Sequence, residues 1–145
     1  MDKKKESKQF NFWRDHSLHY LEMAYRTDNI ERIENCDGYG KRTGQCGDTI
    51  EFFLTVRDEI IGSASFVTDG CLNTIACANT VTHLIDKKSI GDAWEITPEN
   101  VIDYLETLSS TDEHCAELAI GALYRALLNF QENKRIPWKR LYKKY

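Results

Sequence analysis

Hydrophobicity alternates with a period of two from Thr49 to Val56, where Ile50, Phe52, Leu54 and Val56 interleave with Glu51, Phe53 and Thr55. β-rich sequence resumes at Ile60 and runs to Thr68, past the charged turn Arg57-Asp58-Glu59. Strands joined by so short a turn pair antiparallel, and a lone hairpin buries too little to stand in water. The rest of the chain must cover it, and the rest has a helical period. Residues 12–25 carry Trp13, Leu18, Leu21, Met23 and Tyr25 among charges, as an amphipathic helix would. After Asp69-Gly70, residues 71–85 place Leu72, Ile75, Ala78, Val81, Leu84 and Ile85 at helical spacing. Ser89 with Asp92 predicts a capped short turn through Trp94, and Thr97-Pro98 a cap and first-turn proline ahead of Val101, Leu105 and Leu108. Ala116, Ala119, Ile120, Leu123, Leu127 and Phe130 form one continuous stripe, predicting a long final helix. Helix, hairpin, then helices predicts an α+β fold rather than an alternating parallel sheet.

With 145 residues and 41% hydrophobic content there is room for one domain and one core. The expected division is a charged N-terminal tail over 1–14, a domain over 15–131 and a basic aromatic tail over 132–145. Net charge is −4 but unevenly spread: residues 46–130 carry 4 basic and 14 acidic side chains, residues 131–145 carry 6 and 1. An acidic body argues against nucleic acid as ligand, because phosphate binding needs clustered cations. The basic ends read as solvated tails. No apolar run approaches the roughly 20 residues that span a bilayer, so no membrane role is expected. The charged opening Met1-Asp-Lys-Lys-Lys has no apolar stretch behind it, so a cytoplasmic location is expected.

Five cysteines, 36, 46, 71, 77 and 115, are an odd number in such a chain and argue for free thiols. Cys77 sits within a helix, with Val81 and Leu84 at +4 and +7, and is assigned to the core; Cys36 is assigned to a loop. His16, His19 and His83 are read as surface or interhelical side chains. The other three thiols stand at special places. Residues 28–47 hold Gly38, Gly40, Gly44 and Gly47, which predicts a loop delivering Cys46. Cys71 follows Gly70 at a strand-to-helix junction, and Cys115 follows His114 at the start of the long helix. A helix N-terminus favours thiolate and is expected to lower the pKa of Cys71 and Cys115. Were the hairpin to lay Cys46 beside those helix starts, Asp48 and His114 would complete a set of four or five donors, suited to an iron–sulfur cluster, zinc or Cu(I). A thiol enzyme with Cys115 as nucleophile and His114 as base is set aside, because adjacent residues at a helix start seldom face each other and no orienting third group is evident.

The order Cys46-Gly-Asp48, then Phe66-x-x-x-Gly-Cys71 opening a helix, then His114-Cys115 opening the last, resembles the IscU/NifU-type iron–sulfur cluster assembly scaffold. The similarity runs from about Asp15 to about Gln131 and includes Thr74-Ile-Ala-Cys-Ala-Asn-Thr80 and Ser89-Ile-Gly-Asp-Ala-Trp94. It implies a small antiparallel sheet with helices packed on one face and a cluster site at one exposed end. It also implies a carrier rather than a turnover enzyme. A transient [2Fe–2S] cluster is built from iron and persulfide sulfur supplied by a cysteine desulfurase, then handed to acceptor proteins. By position, Cys46, Cys71 and Cys115 would be the cluster thiolates and Asp48 and His114 the exchangeable fourth ligands. Cys115 would accept the persulfide, with Cys46 the second choice. The other reading is a zinc-binding or regulatory homologue using the same Cys/Asp/His set, with zinc in the protein as isolated.

Departures from the family pattern carry their own expectations. The segment Leu108-Ser-Ser-Thr-Asp-Glu113 lacks the usual Pro and Lys, which argues against binding of the specialised Hsp70-type chaperone. Asn35-Cys36 stands where Asn-Pro is usual, and Leu72 where many members have Gly. No C-x-x-C segment is present, so the stand-alone scaffold form is expected.

Overall fold

The computed structural model describes residues 16–135. In chain order these form helix α1 (Leu18–Tyr25), strands β1 (Gly38–Thr43), β2 (Thr49–Arg57) and β3 (Ile60–Thr68), helices α2 (Leu72–Ile85), α3 (Ile90–Trp94) and α4 (Pro98–Leu105), a 3-10 turn (Ser110–Asp112) and helix α5 (Glu113–Arg135). The three strands make one antiparallel sheet in the order β1-β2-β3. The predicted hairpin pairs Ile50 with Thr68 and Phe52 with Phe66, with a register shift between Thr55 and Val56. Its two turn residues, Asp58 and Glu59, both take positive φ (53° and 64°), matching the twist that short hairpins need.

Alternation along β2 puts Ile50, Phe52 and Leu54 on the inner face, fully buried. Over that face lie α2, against β3, and α5, against β1 and β2. Between the layers pack Met23, Ala76, Cys77, Val81, Ile85, Val101, Leu105, Ala119, Leu123 and Leu127. This is the α+β arrangement expected, with the helices on one face. The predicted caps are present: Ser89 accepts from Asp92 N–H, and Thr97 and Asn100 form a reciprocal capping box with Pro98 in the first turn. The final helix runs on through Arg135. Among the described residues the first helix begins at Leu18, capped by Ser17; Trp13 and the charged N-terminal tail lie outside the described residues, as do Trp138 and the end of the basic tail.

One expectation is corrected. Residues 38–43, read as part of a glycine-rich loop, are strand β1, paired Gly38 to Leu54 and Gly40 to Phe52. Gly38 and Gly40 serve close approach, not unusual backbone angles. A Cβ on Gly40 would lie 2.2 Å from Ala126 N and 2.3 Å from Ala122 O, and one on Gly38 2.6 Å from Ala126 O. The backbone of α5 occupies the space where side chains would stand.

Candidate metal centre

Three separate elements meet at one end of the molecule. The β1–β2 connection is closed by Gly44 N–H donating to Asp48 O (2.8 Å) and Gly47 N–H to Gly44 O (3.0 Å). Gly47 takes φ 93°, a left-handed angle that glycine adopts without strain. The loop tip presents Cys46 to solvent and delivers Asp48 at the head of β2. At the β3–α2 junction, Thr68 Oγ1 donates to Thr49 O (2.6 Å) while Asp69 Oδ1 accepts from Thr49 N–H (2.8 Å). This clasp fixes the junction against the start of β2, and Cys71 follows as the N-cap of α2. Its thiol makes no capping bond and is exposed. Cys115 is the third residue of α5 and is 1% exposed.

These groups converge on a residue that the thiol pattern did not single out. Thr74, in the first turn of α2, has its Oγ1 3.2 Å from Asp48 Oδ2, 3.5 Å from Cys115 Sγ and 3.7 Å from Cys71 Sγ. The sequence signal was available: Thr74 is three residues beyond Cys71, and i,i+3 side chains share a helix face. His114 Nε2 lies 3.7 Å from Cys115 Sγ. Its Nδ1 is 3.1 Å from Thr111 O, an acceptor only, so Nδ1 carries the proton and the Nε2 lone pair is left toward the thiol. The two neighbours therefore do face each other, with Thr111 as the orienting group, contrary to expectation. Cys46 and His114 line a shared cavity of about 450 Å³ together with Arg42, Gly44, Gln45, Glu117 and Leu118. The guanidinium of Arg42 donates to Glu117 O (3.2 Å), lying across Gly121 of α5.

All five sequence-predicted donors thus border one region. The donor chemistry, three thiols with a carboxylate and an imidazole lone pair, suits thiolate-seeking metal. Among the described residues, no three Cys, His, Asp or Glu side chains stand close enough to hold one metal ion. Asp48, Cys71 and Cys115 instead surround a protein hydroxyl, that of Thr74.

Burial, not the helix terminus, governs Cys115. Desolvation pushes its thiol up to about 11, against the opposing hydrogen bond from Thr74, and the neighbouring Cys71, Asp112 and Cys46 add to the rise. The expected lowering is therefore not found there. Cys77 is fully buried in the core as expected, and burial raises its thiol strongly. Cys36 is also buried, its Sγ donating to Gly38 O (3.3 Å), rather than a loose loop thiol. His16 stacks on Tyr20 and His19 on Tyr104, in keeping with surface and interhelical roles. In place of the usual chaperone segment, Ser109 caps the short 3-10 turn and Leu108 is buried.

Comparison with known proteins bears on the family and the fold. A family model described as the NifU-like N-terminal domain matches residues 26–136. The chain is 34% identical over 110 residues to an iron–sulfur cluster assembly scaffold protein IscU of Archaeoglobus fulgidus, covering 74% of this chain and 72% of that one. It is 33% identical over 126 residues to the IscU scaffold protein of Escherichia coli, covering 77% and 98%. Among solved structures, a putative scaffold protein for the SUF system from Fervidobacterium islandicum superposes with a TM-score of 0.67 at 17% identity, over 81% of this chain and 99% of that one, which bears on the fold alone. By the match of its sequence, the chain belongs to the NifU-like N-terminal domain family.

Proposed function

We propose that this chain is a scaffold on which a transient [2Fe–2S] cluster is assembled from iron and persulfide sulfur and then passed to acceptor proteins. The observation that carries the reading is the gathering of Cys71, Cys115 and Asp48 about one point, with His114 beside Cys115 and Cys46 on the adjoining loop tip. Three thiolates would hold the cluster, and Asp48 or His114 would supply an exchangeable fourth ligand. Oxygen and nitrogen donors release iron more readily than a fourth thiolate, so such a set holds cargo without keeping it. The relatives named as scaffolds support a carrier rather than a turnover enzyme.

Sulfur would arrive from a cysteine desulfurase as a persulfide. A scaffold thiolate attacks its terminal sulfur, a new S–S bond forms on the scaffold, and the donor cysteine leaves as thiolate. Conversion of that sulfur to bridging sulfide takes two further electrons, so an electron donor belongs to the assembly. Cys115 is proposed as the acceptor with Cys46 second. Exposure favours Cys46 for first contact, and sulfur reaches the buried Cys115 only once its surroundings open. Five free thiols suit a reducing cytoplasm. No helix among the described residues is long and apolar enough to cross a membrane.

The alternative is a zinc site built from the same donors, for which Zn²⁺ accepts S, N and O ligands. Anaerobic incubation with iron, cysteine and a desulfurase separates the two. Scaffold function gives visible charge-transfer absorption and acid-labile sulfide at about two per chain. Zinc uptake with no sulfide incorporation refutes it.

A further inference from the structure

Two threonines of α2 are fully buried yet use their hydroxyls differently. Thr80 makes the ordinary helical back-bond, donating to Ala76 O at 2.8 Å. Thr74 forgoes that bond, and its hydroxyl contacts are Asp48 Oδ2, Cys115 Sγ and Cys71 Sγ at 3.2, 3.5 and 3.7 Å. With 0% exposure no bulk water can satisfy it, so its partners must be these. Gly70 leaves the space that this side chain occupies. A Cβ on Gly70 would fall 2.6 to 2.7 Å from Thr74 Cβ, Cγ2 and Oγ1, so the residue before Cys71 is open to Thr74 only because it is glycine. A hydroxyl has one proton. Asp48 Oδ2 and Cys115 Sγ both lie at accepting distance, so the proton serves one at a time and the other is left available.

We propose that Thr74 is a positioning residue for cargo loading: its hydroxyl gathers Asp48 and Cys115 to a common point and turns its single O–H to the Cys115 sulfur when metal takes the Asp48 oxygen. This deepens the scaffold reading and rests on it. As it stands, the hydroxyl screens a carboxylate from neighbouring sulfur and holds both in register. Once Asp48 binds metal its lone pair is engaged, and the cysteine sulfur becomes the remaining acceptor. An O–H···S bond draws charge from a ligating sulfur, so it favours the reduced cluster and raises its potential. Groups that orient ligands in this way typically contribute about ten- to a hundredfold to metal affinity.

The test compares four proteins, the wild type with Thr74→Val and Thr74→Ser with Thr74→Ala; each pair differs in the oxygen with side-chain size nearly kept. Zinc affinity is measured by competition with a chromophoric chelator, and the cluster midpoint potential after anaerobic reconstitution. Val should bind Zn²⁺ about tenfold or more weakly than Thr, and Ala similarly below Ser, with both hydroxyl-free proteins carrying a more negative cluster potential. A purely structural threonine would leave the potential where it was. Should Thr74→Val not fold, the Ser and Ala pair makes the same comparison. Affinity and potential indifferent to the oxygen in a loaded wild type overturn the Thr74 role alone. A wild type that takes up neither zinc nor cluster overturns the scaffold reading with it.

Discussion

At the scale of single residues the structure separates thiols that the sequence groups together. Cys46 is solvent-exposed, whereas Cys115 is 1% exposed with its thiol pushed up to about 11 by burial. Near pH 8 that leaves about a hundredfold less thiolate than the ordinary value of 9.0 would give. Iodoacetamide labelling of the metal-free native protein, followed by peptide mass mapping, should modify Cys46 well before Cys115 and lose that order in urea. For cluster retention the expectation is different. Cys46→Ala, Cys71→Ala and Cys115→Ala should each abolish stable cluster, while Cys77→Ala, in the core, should keep it at a cost of about 1 kcal/mol in urea unfolding. Retention by all three site variants would overturn the ligand assignment. On the outer face of the sheet, Glu51 lies against Arg32 (2.9 Å) and Tyr39 (2.6 Å). Burial alone would raise its carboxyl, but the hydrogen bonds from Arg32 and Tyr39 win and hold it below the ordinary 4.5. A lowered folded-state value means stability present above pH 4.5 and lost as pH falls through the folded value. Glu51→Gln should therefore flatten the acid limb of a stability-versus-pH curve, and an unchanged limb would discount that cluster.

At the scale of elements, legibility followed periodicity. The hairpin, the capped helices α3 and α4 and the stripe of α5 could be read because their apolar spacing repeats over enough residues to carry a signal. Strand β1 could not, since Gly38 and Gly40 have no side chains to alternate and their reason for being glycine lies some 80 residues further along the chain, in the backbone of α5. The donor residues were likewise legible as residue types at element starts, but the role of Thr74 and the turn of His114 toward Cys115 depend on tertiary approach. The glycines give a sharp contrast. Gly40→Ala would drive a methyl into the backbone at Ala122 and Ala126, which cannot yield, and should cost about 3 kcal/mol. At Gly121 the atoms met first belong to the solvent-side end of Arg42, which can swing away. Gly121→Ala should then be neutral or stabilise by up to about 1 kcal/mol through helix propensity. Equal denaturation midpoints for the two variants would contradict the close-approach account.

At the scale of the whole molecule, the site is assembled from the β1–β2 loop, the β3–α2 junction and the head of α5, so a ligand there ties the sheet to both large helices. Anything that binds the folded state and not the unfolded chain raises the melting temperature by mass action. Zinc should therefore raise Tm in the wild type and do so much less in Cys71→Ala, a comparison that calorimetry can make. Along the body behind the site, α5 runs without interruption over 23 residues and pairs at its far end, through Lys134, with Glu59 of the β2–β3 turn. Its axis is set where two missing side chains let it sink onto β1. The protein thus divides into a part that tolerates redesign and a part that does not: the exposed tip can be varied at Gln45 around a retained Cys46, whereas any library that varies positions 38 and 40 would shift the platform on which that loop is built.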